Sequence, residues 1–81
     1  MNFRYLTGAV RDYDALTPVL QSRVRKQLDL LVQNIRHPSL RAKKFDKAND
    51  IWQARVNNDY RFYFSIQGDT YIILAITRHP K

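Results

Sequence analysis

The sequence predicts an α+β fold, with two N-terminal helices packed on one face of a twisted, mainly antiparallel sheet of about four strands. Three observations lead there. Apolar residues at helical spacing fill the stretch between Thr17 and Pro38. From Ile51 onward, runs rich in aromatic and β-branched residues are divided by turn formers. With 81 residues there is length for one core, so residues 1–81 are expected to form a single domain.

The elements follow in chain order. Asn2 to Leu6 is short, aromatic and alternating, which suits an opening strand that ends at Thr7-Gly8. Ala9 to Leu16 reads as a short helix with Thr7 as its N-cap and Asp12 and Asp14 on its outer surface. Thr17-Pro18 is a stronger start, because Thr caps the helix and Pro occupies the first helical position, where its missing N–H is no loss. Leu20, Val24, Leu28, Leu31 and Ile35 then form one apolar face, with Arg23, Arg25, Lys26 and Asp29 on the outer one. This helix must stop before Pro38, which pushes the preceding residue out of the helical region. Ser39 to Asp50 is a basic connection, anchored into the core by Phe45 and long enough for one short strand.

Three strands are expected next, Ile51 to Val56, Tyr60 to Gln67, and Thr70 to Thr77 or Arg78, forming consecutive antiparallel hairpins. In the middle strand Tyr60, Phe62, Phe64 and Ile66 alternate with Arg61, Tyr63, Ser65 and Gln67, so the even positions face the helices. Trp52, Ala54 and Val56 join them only if the loop Asn57 to Asp59 has an odd length, with an Asn or Asp in the left-handed region. That register sets Arg55 opposite Arg61 and Gln53 opposite Tyr63 on the open face. A two-residue turn at Gly68-Asp69 then pairs Tyr63 with Leu74 and Arg61 with Ile76, and brings Arg78 diagonally beside Arg61. Like charges opposed across strands repel, and each arginine taken singly is explained by pairing with Asp59 or Asp50. The cluster points instead to a bound phosphate, with Tyr63 offering a surface for base stacking.

Composition agrees. Nine Arg and five Lys oppose seven Asp and no Glu, giving a net charge of +7 and a pI near 10.2. An excess weighted toward Arg, whose planar fork matches phosphate oxygens, favours nucleic acid, although an acidic protein would also answer it. The absence of Cys excludes disulfides and thiolate metal sites, and two His make a structural zinc improbable. The longest apolar run, Tyr71 to Ile76, is far below the roughly 18 to 20 residues of a membrane helix, and the N-terminus lacks the apolar stretch of a signal peptide. A cytoplasmic protein with neither metal nor cofactor is expected. No phosphate-binding Gly-rich loop, nucleophile elbow or metal-ligand spacing occurs, which disfavours nucleotide hydrolysis, acyl transfer and metalloenzyme activity.

The stretch HPSLRAKKF, followed by IWQARVNNDYRFYFSIQGDTYIILAITRH, resembles the RelE/ParE toxin superfamily across nearly the whole chain. The shared pattern is a His-Pro after the long helix, a Lys-Lys element, a Trp-led strand, a Tyr-Arg strand, and a final strand ending near His or Arg. The resemblance implies helices on an antiparallel sheet and a toxin of a type II toxin–antitoxin pair, with a cognate antitoxin as partner. RelE-like members cut mRNA on the ribosome, whereas ParE-like members inhibit DNA gyrase. Carried over, Arg61 matches the arginine at the scissile phosphate, Arg55 the basic position on the preceding strand, and Arg78 or His79 the cation or imidazole of the last strand. Lys43 and Lys44, with Arg41 nearby, match the basic element before that strand. One departure is that the chain ends His79-Pro80-Lys81, without the tyrosine that many active RelE-like enzymes carry there.

Cutting RNA through its own 2′-hydroxyl needs a base, cations for charge growing on the phosphate, and an acid for the leaving 5′-oxygen. Arg61, Arg55 and Arg78 supply the cations. Histidine is the side-chain type best suited to proton transfer near neutral pH, which makes His79 the acid or base candidate and Tyr63 a poorer one. Lys43, Lys44, Arg41, Tyr63 and Gln53 are the expected nucleic-acid contacts. Strict alternation would turn His79 away from the arginines, and His37 before Pro38 is read as a helix terminator. Three functions remain open: a ribosome-dependent mRNA endoribonuclease, a gyrase inhibitor that cuts nothing, and a basic RNA-binding module without toxicity.

Overall fold

The computed structural model describes Met1 to His79. Its elements are β1 (Asn2–Tyr5), α1 (Thr7–Asp14), α2 (Pro18–Gln33), β2 (Lys43–Asp46), β3 (Ile51–Arg55), β4 (Tyr60–Gln67) and β5 (Thr70–Arg78). The sheet has five strands rather than about four, in the order β1-β5-β4-β3-β2. The basic connection supplies β2 as an edge. The two helices carry the chain from β1 at one edge to β2 at the other; β1 lies parallel to β5, so the sheet is mixed, while β2 to β5 form an antiparallel meander.

α2 begins as its sequence dictates. Thr17 is extended and its Oγ1 accepts a hydrogen bond from the Leu20 amide at 3.3 Å, with Pro18 in the first turn. The helix buries Val24, Leu28 and Leu31 against Ala54, Val56, Phe62, Phe64 and Ile73 of the sheet. α1 starts earlier than expected, with Leu6 at the N-cap position and no side-chain cap from Thr7. Asp12 is not on the outer surface either, because its Oδ2 accepts the Ile76 amide at 2.9 Å. Arg23 likewise leaves the outer face of α2, and its Nε donates to the Val56 carbonyl at 2.9 Å.

Gln27 is fully buried among the apolar residues of α2. Its Nε2 donates to the carbonyls of Arg55 at 2.8 Å and Ser39 at 3.2 Å, and Ser39 Oγ donates back to Oε1 at 3.3 Å. Since Arg55 N also donates to the Leu40 carbonyl at 2.7 Å, the end of β3 is tied to both the helix and the approach to β2. The core anchor of that connection is Leu40, fully buried, and not Phe45, which is 60% exposed. Strand parity explains the reversal: Lys43 pairs with Gln53 on the open face and Lys44 with Trp52, so alternation turns Phe45 to the open face, and a bulge between Lys44 and Asp46 leaves it as the extra residue without a cross-strand partner.

The first hairpin has the expected register, with Arg55 opposite Arg61, Gln53 opposite Tyr63 and Trp52 opposite Phe64. Its three-residue loop uses no left-handed residue, because positive φ occurs only at Arg41, Asp50 and Gly68 among the described residues. Asn57 Oδ1 closes the loop instead, accepting from the Asp59 amide at 2.8 Å and the Tyr60 amide at 2.9 Å. At the second turn Gly68 has φ 60°, the sign required at the first central position of a type II′ hairpin.

The second hairpin departs from expectation at one residue. Gln67 pairs with Thr70 and Phe64 with Ile73, but Tyr63 then pairs with Ala75, so Leu74 is bulged out. Every later residue of β5 is displaced by one: Arg61 faces Thr77 rather than Ile76, and Arg78 faces Tyr60. Residues directly opposed share a face. The bulge thereby lets both Ile73 and Ile76 enter the core, as their burial to 0% and 4% exposure shows.

Candidate functional site

Arg61 sits near the start of β4 on the open face of the sheet. Its Nη1 donates to the carbonyls of Asn57 at 2.7 Å and Tyr60 at 3.0 Å, which holds the half-buried guanidinium against the hairpin loop. Arg55, directly opposite, is drawn off by a hydrogen bond to Asn58 Oδ1. Each guanidinium of this pair is thus held by neutral acceptors of the loop, which orient the two charges without cancelling the repulsion their register imposes.

The bulge at Leu74 exchanges two of the expected site residues. Arg78, paired with Tyr60, lies on the helix-covered face and is not beside Arg61 as the unbulged register requires. His79 takes the open face instead. Its amide donates to the Asp59 carbonyl at 2.6 Å, continuing the ladder one step past Arg78 and two residues beyond Thr77, the partner of Arg61. Strict alternation turns His79 away, and one bulged residue reverses that parity.

Arg41, Lys43, Gln53, Arg61 and His79 line a recess of about 180 Å³ on this face. Arg41 reaches it from a left-handed backbone conformation, φ 46°, which is uncommon for a residue with a Cβ and is maintained here between buried Leu40 and the first residue of β2. Lys43 and Gln53 are a directly opposed pair across β2 and β3. Tyr63 stands beside Gln53 on the next strand, and its ring meets Phe45 edge-on, with centroids 4.9 Å apart. Lys44 goes elsewhere: it pairs with Trp52, holds its Nζ 5.1 Å from the indole centroid, and forms an ion pair with Asp50.

The electrostatics of the recess are one-sided. Among the described residues the sole ion pair is Lys44–Asp50, so the arginines on the open face have no carboxylate against them. Asp46 is turned into its own loop, where hydrogen bonds from the Asn49 side chain and amide hold its carboxyl below the ordinary carboxylate range. No group of three or more His and Asp side chains with metal-ligating spacing occurs among the described residues. Two larger hollows lack an imidazole. One of about 460 Å³ is walled mainly by Met1, Ile35, Trp52, Ile66 and Tyr71 with Arg36 as its one cationic side chain, and one of about 360 Å³ runs beside Val19, Leu20, Arg23, Lys26 and Asn57.

Five of the expected residues therefore converge, while Arg55 and Tyr63 flank them and Arg78 and Lys44 lie on the other face. His37 accepts the Ser39 amide on Nδ1 at 3.1 Å and shapes the turn after α2. Sequence reasoning missed Asn57, whose side chain closes the loop and whose carbonyl orients Arg61. An Asn opening a three-residue turn next to the Tyr-Arg strand was the available signal. Pro80 and Lys81, where the departure from the family pattern falls, lie outside the described residues.

No protein-family model matches the chain, and no curated protein matches it by sequence. Solved structures do match by shape. A YoeB/ParE toxin from Agrobacterium tumefaciens superposes with a TM-score of 0.83 at 10% identity, covering 99% of this chain and 100% of that one. A chain of the archaeal RelE–RelB complex from Pyrococcus horikoshii OT3 gives 0.78 at 18% identity over 95% of this chain and 92% of its own. The YoeB dimer of Staphylococcus aureus gives 0.81 at 14% identity, with 99% and 98% covered. The fold is RelE-like, and these structural neighbours are toxins or toxin–antitoxin complexes.

Proposed function

We propose that this chain, acting as one domain in the cytoplasm, is the toxin of a type II toxin–antitoxin pair and an endoribonuclease that cuts mRNA on the ribosome. The observation that carries the reading is the recess itself: three cations, an amide and an imidazole on the open sheet face, with no carboxylate among its lining residues. Several solved neighbours are toxins bound to antitoxins, which supports a cognate antitoxin here. An acidic segment folding over a +7 surface would supply that neutralisation.

The chemistry assigned to the recess is transesterification. His79 takes the proton of the RNA 2′-hydroxyl, a bond forms from O2′ to phosphorus, and the bond to the 5′-oxygen breaks. The products are a 2′,3′-cyclic phosphate and a 5′-hydroxyl, and the imidazolium can return its proton to the departing oxygen. Arg61, already oriented by two backbone carbonyls, stabilises charge on the non-bridging oxygens, with Arg41 and Lys43 beside it. Gln53 offers an amide to the bound strand.

Induced expression with mapping of mRNA ends tests this. Codon-phased cuts that disappear in His79→Ala and Arg61→Ala support the reading. An SOS response with intact mRNA would identify a gyrase inhibitor instead, and unimpaired growth would leave a basic RNA-binding module.

A further inference from the structure

We propose that Phe45, together with Tyr63, forms a stacking site for a nucleobase whose phosphate occupies the neighbouring recess. The inference rests on reading that recess as an RNA phosphate site and names the part of the nucleotide next to it. Isolated apolar residues are ordinary on protein surfaces, so exposure alone says little. Phe45 is more than that. Among the described residues the exposed large hydrophobics are Met1, Leu6, Val10, Val19 and Phe45, and Phe45 is the one aromatic in that set.

Its orientation comes from strand parity. Alternation from Lys43 sets the ring on the face that carries Lys43, Gln53 and Tyr63, and the bulge between Lys44 and Asp46 leaves Phe45 without a cross-strand partner. Lys43 is two residues away on the same strand, a separation of roughly 7 Å along a β-strand. A phosphate against Lys43 thus leaves its own base within reach of Phe45. The ring planes of Phe45 and Tyr63 lie at 65°, so a base stacked on the face of one meets the edge of the other. Of the two nearby carboxylates, Asp50 is neutralised by its ion pair with Lys44, while Asp46 keeps its charge but is turned into its own loop by hydrogen bonds from Asn49. Stacking on an aromatic is tolerant of base identity, which suits a protein that contacts many messages.

Two probes separate the base from the phosphate: a short oligoadenylate, and an abasic sugar–phosphate oligomer of equal length. Phe45→Ala should weaken oligoadenylate binding roughly 5- to 150-fold, the range of one lost base–aromatic stack, and leave abasic binding unchanged. Phe45→Trp should preserve binding and Phe45→Leu should not, since the contact requires a π-face. Arg61→Ala should weaken both probes. If abasic binding is intact and sensitive to Arg61 while Phe45→Ala leaves oligoadenylate binding unaltered, the stacking site is overturned and the phosphate site survives. A Phe45→Ala variant that weakens only the binding of a protein partner overturns the stacking site equally. If neither probe binds, both readings fall. Because Phe45 is outside the core, these variants should fold as the parent does.

Discussion

Asp12 of α1 accepts the amide proton of Ile76 at 2.9 Å, just beyond the bulged Leu74. β1 stops pairing with β5 at Ile73, so the strand has no backbone partner on that side at Ile76, and the carboxylate takes its place. The bond fastens β5 after the point where its parity changes, and that change brings His79 to the face of Arg61. Asp12→Ala should lower stability by about 1 to 3 kcal/mol through the unpaired amide, read as a shift of the urea midpoint. Two single-residue deletions test the parity. Removing Leu74 leaves Arg61 opposite Thr77 and should retain cleavage. Removing Thr77 brings Arg78 opposite Arg61, turns His79 toward the helices, and should abolish cleavage. Equal activity in both would refute the link between parity and cleavage.

Arg61 should separate activity from stability. As a preoriented donor to the phosphate, its loss in Arg61→Ala should reduce cleavage by on the order of 10² to 10³. The truncation breaks hydrogen bonds to the Asn57 and Tyr60 carbonyls but also relieves repulsion with Arg55, so stability should change by about 1 kcal/mol or less. Arg61→Lys keeps the charge without the fork and should recover little activity. A variant that unfolds while cleavage per folded molecule is unchanged would make Arg61 a structural residue.

Sequence patterning reaches furthest where each residue type has one compatible environment. The Thr17-Pro18 start, the alternation from Tyr60 to Gln67 and the odd loop between Val56 and Tyr60 are legible, and together they set Arg55 against Arg61. The second hairpin is not. Tyr71 to Ile76 is apolar at every position, so no alternation records which residues face inward, and a bulge leaves no trace in such a run. Arg78 and His79 exchange faces for that reason alone. Phe45 reads as a core residue because it is the one aromatic among the cations of its segment, but Leu40 fills the core there and the pairing of Lys44 with Trp52 turns Phe45 outward. Arg41 adopts a conformation that its residue type does not favour, which the neighbouring contacts impose and the sequence does not encode locally.

Gln27 should be the polar residue whose loss is felt most in the scaffold. Its amide satisfies the Arg55 and Ser39 carbonyls inside the core, and Gln27→Leu would leave both without that donor while adding no usable space. A loss of about 2 to 4 kcal/mol is expected. Equilibrium urea unfolding checks it, and an unchanged midpoint would mean that other groups already satisfy those carbonyls.

Alkaline stability should depend on Tyr5. Burial, reinforced by Tyr13 and partly opposed by Arg25, raises its phenol from the ordinary value of 10.0 to about 12. Below pH 10 the phenol is protonated in both folded and unfolded chains, and the group contributes no pH dependence. Between pH 10 and about 12 the unfolded chain loses this proton while the folded one keeps it, so the unfolded state binds fewer protons and stability falls as pH rises. Tyr71, raised by burial, acts in the same direction. Tyr5→Phe cannot ionise and should remove the Tyr5 part of the decline. The stability of the parent relative to Tyr5→Phe should therefore stay level up to pH 10 and drop across the window above it. Urea midpoints measured at steps through that range, with phenolate absorbance followed in parallel, give the comparison. Parallel curves for the two proteins would show that Tyr5 titrates alike in both states.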